Sequence, residues 1–315
     1  MPLLPQSAAG AYFEWNFPLL GHYWTAADVA IQHIAEGMGG LDGLKGKKIA
    51  LVYHDSPYGK EPILLLQKRA EAHGFELQLY PVTAPGVEQK STWLQIRQRR
   101  PDHVILWSAG VMTPTAIREA QATGYPRDKI IAIWWAGSEN DVKDIAQVAK
   151  GYKTITLHNS VGKDFGVYKL LEDEVYAKGK GVGKGNGTYG TIAYNRGMMI
   201  SFLTTEAIRT AQEKYGVGQH MTPEQIRWGF ENLNIDDARL EETGMAGMVR
   251  PVHTTCEDHV GGDWARIAQW NGSEWDVISD WMQADQEFVA PIVKEEAEKY
   301  AAAKGMTPRD CSTVE

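Results

Sequence analysis

Apolar positions along this chain alternate between two patterns. Lys47–Gly59 reads KKIALVYHDSPYG, in which Ile49, Ala50, Leu51 and Val52 form an unbroken apolar run between charges and a turn. That is the pattern of a strand buried on both faces. His54, Asp55, Ser56, Pro57 and Gly59 break the run, and Glu61–His73 follows with Ile63, Leu66 and Ala70 at helical spacing. The unit then recurs. Phe75–Val82 predicts a second strand and Gln89–Arg99 a second helix. His103–Trp107 (HVILW) predicts a third strand, with a helix over Thr113–Thr123, and Ile130–Trp135 (IIAIWW) a fourth strand. Strands alternating with helical patterns of this length specify an α/β fold whose parallel sheet is covered on both faces. Ligands on such sheets sit beyond the carboxyl ends of the strands. The loops to watch are therefore Tyr53–Tyr58, Ser108–Met112 and Ala136–Asp141.

The flanks differ in style. Residues 1–46 predict a strand at Pro2–Pro5, a short apolar segment at Trp15–Leu20 and a helix over Thr25–Met38, closed by Gly39, Gly40 and Gly43. Lys153–Leu157 predicts a last strand of the repeat block, and Lys163–Tyr176 a helix that carries the chain away from it. Residues 178–187, KGKGVGKGNG, lack the spacing of a phosphate loop and read as an exposed loop. Tyr189–Tyr215 is one long helix with Ala193, Met199, Leu203, Ala207 and Ala211 recurring along it; Thr222-Pro223-Glu224 opens another. The stretch 165–249 shows no strand of its own. Trp264–Trp270 and Trp275–Ile278, joined through Asn271-Gly272, form a hairpin, and a terminal helix spans Phe288–Lys304. The expected organisation is one lobe from 1–46 and 165–249, a second from 47–164 and 250–281, and a C-terminal helix and tail over 282–315. Strands crossing between two lobes permit hinge closure on a ligand.

Composition narrows the function classes. The chain has 315 residues, 43% of them hydrophobic, enough for substantial cores, and a net charge of −8 with no basic block. Nucleic acid is not expected as a partner. No apolar run reaches the length of a membrane span. The chain carries 11 Trp and 13 Tyr, many for this length; most are expected in cores or inter-domain packing, and a few along a pocket. The two cysteines, Cys256 and Cys311, are either free and buried or joined in a disulfide that pins the C-terminal tail, which implies an oxidising compartment.

Motifs of catalysis are absent: no G-x-S-x-G, H-E-x-x-H or C-x-x-C occurs, and the first strand is followed by HDSPYGK in place of G-x-G-x-x-G. No cofactor is expected. One dense polar cluster, His253, Cys256, Glu257, Asp258 and His259, has the donor types of a zinc site, which keeps a metal-dependent hydrolase open as an alternative. At the strand ends, Gln6, Ser7 and Ser108 offer small polar groups, and Glu139 a carboxylate for an ammonium or amide. Trp107, Trp134 and Trp135 offer apolar walls, with Trp107 and Trp135 nearest the strand ends.

The pieces KGKKIALVYHDSPYGKEP, WLQIRQRRPDHVILWSAGVM, EAQATGYPRDKIIAIWWAGSENDV, YNRGMMIS and RIAQWNGSEW together resemble the substrate-binding proteins of branched-chain amino acid ABC transporters, from Met1 to about Trp281. The resemblance implies the type I periplasmic-binding fold: two Rossmann-like lobes that take a small solute in their cleft and deliver it to a membrane permease without chemistry. It also implies that the opening units of lobe 1 and a secretion signal are missing ahead of MPLLPQSAAG, which leaves lobe 1 incomplete. By the same comparison a lobe 1 ligand loop falls on Gln6, Ser7 and Ala8, with Gln6 a departure from small hydroxyl residues. A lobe 2 tyrosine falls on Tyr58. The aromatic of leucine binders falls near Ala109, which leaves room for a larger ligand, and the acid that receives the α-ammonium falls on Glu139. Tyr23 and Trp24 are candidate walls. The solute is expected to be an amino acid, an amide or an aromatic acid, and the location periplasmic, with Cys256 and Cys311 paired. A monomer is expected, or a dimer where lobe 1 is incomplete. A cytoplasmic ligand-sensing domain of the same fold stays open as a further alternative.

Overall fold

The computed structural model describes residues 5–159, 162–182, 184–185 and 187–313. The first half repeats one unit. Helix α1 (Tyr23–Glu36) precedes β1 (Lys48–His54), the one-turn α2 (Pro57–Lys60), α3 (Ile63–His73), β2 (Glu76–Val82), α4 (Lys90–Arg99), β3 (His103–Trp107), α5 (Met112–Ala122), β4 (Ile130–Ala132), α6 (Glu139–Val142) and β5 (Lys153–Thr156). A helical stretch follows: α7 (Gly166–Leu171), α8 (Ile192–Tyr215), α9 (Pro223–Glu231), β6 (Asn234–Ile235) and α10 (Asp237–Glu242). The chain closes with β7 (Val252–His253), β8 (Trp264–Trp270), β9 (Trp275–Val277), β10 (Met282–Gln283) and α11 (Gln286–Lys304).

The main sheet has eight strands in the order β10-β8-β5-β4-β3-β1-β2, with β9 hydrogen-bonded to β8. Strands β2, β1, β3, β4 and β5 run parallel, while β8 lies antiparallel to β5 and pairs antiparallel with β9 and β10. The sheet is thus parallel at its centre and antiparallel along one side. That is the mixed α/β architecture of the type I periplasmic-binding fold. Ile49–Val52 and Val104–Trp107 are buried because helices cover both faces. α1 packs on α3, β5 and β8, and α4 packs on α5. Local signals set the ends of these elements. Ser56 caps α2 by accepting the Gly59 N–H at 3.3 Å. Gly74 takes a left-handed φ of 70° to close α3. Thr222 and Gln225 form a capping box on α9, with Pro223 in its first turn.

A buried ion pair welds the helical layer. Arg69 Nε on α3 donates to Asp28 Oδ1 on α1 at 2.6 Å, and Arg69 Nη2 reaches Asp285, the N-cap of α11, at 3.1 Å. Both Arg69 and Asp28 are essentially sealed from water. Further bonds from Gln32 and the Asp285 N–H satisfy the second Asp28 oxygen, as a buried charge requires.

Several sequence expectations are corrected. Three residues of the Pro2–Pro5 strand lie outside the described residues, and Pro5 instead opens a 3-10 turn, Pro5–Ala8. The Lys163–Tyr176 helix starts only at Gly166 and loosens into a π turn over Glu172–Tyr176, where Ala177 N–H donates to Glu172 O at 2.8 Å. The stretch 165–249 does contain a strand, because β6 pairs with β7 over two residues. Of the 178–187 loop, Gly183 and Asn186 lie outside the described residues.

Candidate functional site

The predicted fourth strand stops early, and that stop builds the site. β4 ends at Ala132. Ile133 N–H still reaches Leu106 O at 3.2 Å, but Ala136 N–H turns back to Ile133 O at 2.9 Å, which closes a 3-10 turn carrying Trp134 and Trp135. The turn is held from below. Tyr152 hydroxyl donates to Ala136 O at 2.9 Å, and Gly137 lies so close to β5 that a Cβ there would come within 2.1 Å of Thr154 Oγ1. Trp134 stacks on Tyr23, ring centroids 5.7 Å apart, and Trp135 Nε1 donates to the Tyr23 hydroxyl at 3.1 Å. Tyr23 meets Tyr58 and Trp107 edge-on at 5.5 and 5.8 Å. An aromatic cluster thus caps the carboxyl edge of the sheet.

Helix α8 starts against this cluster. Thr191 caps it by accepting the Tyr194 N–H at 3.3 Å. Glu139, the first residue of α6, accepts the Ile192 N–H with its two oxygens at 3.1 and 3.3 Å. A carboxylate there satisfies an orphan donor and sits at the positive end of the helix dipole. Burial nevertheless pushes the Glu139 carboxyl above its usual range, against the pull of those bonds and of Arg196. Asp141 is likewise raised by burial, and its Oδ2 accepts the Ser138 N–H and hydroxyl. One turn into α8, Arg196 Nη2 donates to Trp134 O at 3.2 Å, and its guanidinium lies 5.1 Å from the Trp135 ring centroid. That carbonyl is its one hydrogen-bond partner among the described residues.

A cavity of about 520 Å³ opens between the Trp134-Trp135 turn, the Trp15–Leu19 segment and α8. Its walls are apolar: Trp134, Trp135, Phe17, Met199, Leu203 and Phe230. Arg196 supplies a cation, and His158, two residues beyond β5, an imidazole. His158 is 2% exposed, and neither ring nitrogen has a hydrogen-bond partner. Burial, with the Arg196 charge beside it, holds its pKa down at about 3, opposed by the nearby Asn159 backbone, which favours the cation. The imidazole is therefore neutral at pH 7, with one N–H donor and one acceptor nitrogen.

Of the residues predicted from sequence, Trp135 lines this cavity. Tyr23, Tyr58 and Trp107 belong to the cluster beneath it, and Trp107 is buried in the sheet. Ser108 is buried with its hydroxyl 2.9 Å from Thr113 Oγ1, and its carbonyl accepts the Tyr58 hydroxyl at 3.0 Å. Ala109 is exposed. Glu139 stands at the α8 terminus. Gln6 and Ser7 lie in the Pro5–Ala8 turn, which packs on α11. Trp134, expected with Trp107 and Trp135 as an apolar wall, also lines the cavity. Sequence reasoning missed His158 and Arg196, although His158 follows a strand end, where a signal existed. Arg196 stands in YNRG but had no role attached.

The hydrolase alternative loses its ligands. Cys256 is bonded to Cys311. His259 stacks on Phe17 at 4.0 Å, with Nδ1 2.8 Å from Asn16 O and Nε2 3.5 Å from Glu231. Asp258 accepts the Val260 N–H, and His253 is exposed on β7. Among the described residues no three such side chains converge to hold a metal ion. None of the helices described is long and apolar enough to cross a membrane.

A parallel-centred sheet, a helical unit against its carboxyl edge and a cavity between them define a solute-binding protein. The chain belongs to the periplasmic binding protein family, whose pattern matches residues 3–274. A structure described as an ABC transporter permease from the Pseudomonas fluorescens group is 42% identical, with a TM-score of 0.92 over 97% of this chain and 73% of that one. A branched-chain amino acid ABC transporter from Thermus thermophilus with bound valine is 18% identical, TM-score 0.70, over 89% and 70%. A fatty acid ABC transporter substrate-binding protein from Thermomonospora curvata is 18% identical, TM-score 0.63, over 86% and 65%. The latter two share the fold. No curated protein sequence matches the chain. Membership of the family puts the chain outside the cytoplasm, with a small-molecule ligand and a membrane permease as partners.

Proposed function

We propose that this chain, in the periplasm, captures a small, largely apolar organic acid between the carboxyl edge of its sheet and α8, and hands it unchanged to an ABC permease in the membrane. The observation that carries this reading is the cavity of about 520 Å³, with apolar walls and only a few polar groups, Arg196 and His158 among them. Sites for small ligands are built this way. Trp135 serves as an apolar wall. Tyr23, Tyr58 and Trp107 hold its turn in position, and Ser108 ties the Tyr58 loop to α5. Glu139 acts through α8, by fixing the helix end that presents Arg196. In this reading residues 47–164 and 250–281 form the sheet lobe and 165–249 the helical lobe. Residues 1–46 cross between them, with α1 lying on the sheet, and 282–315 close the molecule.

Isothermal titration against leucine, phenylalanine, short amides and benzoate-type acids tests the reading, with tryptophan fluorescence as a second readout. At least one class is expected to bind, and Trp135→Ala to weaken it ten-fold or more. Binding that Trp135→Ala leaves unchanged, or no binding across the panel, would place solute capture elsewhere or remove it.

A further inference from the structure

The cavity carries few polar groups. Among the described residues its lining holds one cation, Arg196, one neutral buried imidazole, His158, and no carboxylate. The nearby acids are already engaged: Glu139 by the Ile192 N–H, Asp141 by the Ser138 N–H and hydroxyl. The Arg196 guanidinium has spent one donor on Trp134 O, and neither His158 nitrogen has a hydrogen-bond partner although the residue is 2% exposed. A buried donor without a partner is costly, and spare guanidinium donors beside an unsatisfied imidazole N–H on one cavity point to an acceptor carried by the ligand. We infer that the solute is a carboxylic acid without an α-amino group, its carboxylate held by Arg196 and the His158 N–H, its aliphatic or aromatic body against Trp134, Trp135 and Met199.

The inference rests on the cavity being the solute site. Its physical core is charge balance. A carboxylate beside Arg196 forms a charge-assisted pair against apolar walls. An α-ammonium carried into the same site meets no carboxylate in the lining and stands close to the guanidinium, while Glu139 and Asp141, which offset the Arg196 charge, lie outside the lining and are held by the Ile192 N–H and Ser138. A buried charge left unpaired is strongly disfavoured. The neutral imidazole adds a donor without a second charge, so one carboxylate answers the one charge in the cavity lining. This reverses the role that sequence suggested for Glu139, because the carboxylate nearest α8 is occupied by the helix end.

Matched pairs that differ only by the amine give the test. The full chain is titrated calorimetrically with 4-methylpentanoate against leucine and with 3-phenylpropanoate against phenylalanine. The deaminated acid of at least one pair is expected to bind ten-fold or more tighter than its amino acid. Arg196→Gln is expected to abolish that binding, Arg196→Lys to retain part of it, and His158→Leu to weaken it about ten-fold. Thermal melts of each variant establish that it is folded. Amino acids binding equally or more tightly would overturn the inference while leaving solute capture intact. Acids bound unchanged by folded Arg196→Gln would also overturn it. If no member of either pair binds, the cavity reading and the inference fall together.

Discussion

A histidine sealed inside an apolar wall makes its protonation state a property of the fold. His158 has a folded pKa of about 3 because burial penalises the imidazolium and Arg196 repels it, against about 6.5 in the unfolded chain. Between those values the unfolded state binds the proton and the folded state does not, so this contribution is complete above pH 6.5 and is lost as pH falls toward 3. The slope is about 1.4 kcal/mol per pH unit. Urea unfolding of the wild type and His158→Leu at pH 7 and pH 5 isolates it, since the other titrating groups cancel in the difference. The wild type is expected to lose about 2 kcal/mol relative to the variant between the two pH values. A difference independent of pH would mean that the imidazole is solvated.

At the scale of elements, the C-terminal tail is held as a strap. Cys311 is bonded to Cys256 across 55 residues. Arg309 N–H donates to Ala11 O at 2.8 Å, and its guanidinium pairs with the buried Glu231 at the end of α9 and reaches Cys256 Sγ at 2.9 Å. The tail thereby joins the N-terminal segment, α9 and the segment before β8. Cross-linking a loop of this length lowers the entropy of the unfolded chain by an amount equivalent to about 4 kcal/mol in the simple model. Replacing both cysteines with serine should therefore shift the urea midpoint down by most of that amount. Limited proteolysis should then cut first beyond Gly305. A variant as stable as the wild type, with a protected tail, would show that the ion pairs hold the strap unaided. The turn after β4 works at the same scale: its stop at Ala132 lets Trp134 and Trp135 leave the sheet and become wall.

Across the whole molecule, the cavity lies between two units, so its occupant stabilises their contact. A ligand that binds only the native state at a hundred times its Kd adds about 2.7 kcal/mol to the unfolding free energy. Scanning calorimetry with a tight acid is expected to raise Tm by a few degrees and to merge any separate melting of the helical unit and the sheet into one transition. A ligand that binds but leaves two transitions in place would be held by one unit alone.

The sequence by itself determined the central strands and most helices. HVILW became β3 with the predicted ends, and the Asn-Gly hairpin formed between β8 and β9. Thr222-Pro223 opened α9. Periodicity, capping and turn chemistry are local energies, and they can be read from neighbouring residues. Tertiary structure alone decided which strands are antiparallel, that Glu139 caps a helix 53 residues away, and that Arg196 and His158 share a cavity with Trp135. A tryptophan reads the same as core or as wall, and an arginine the same on a solvated face or in a cleft. The choice is made by packing between residues far apart in the chain, where neither periodicity nor composition carries information.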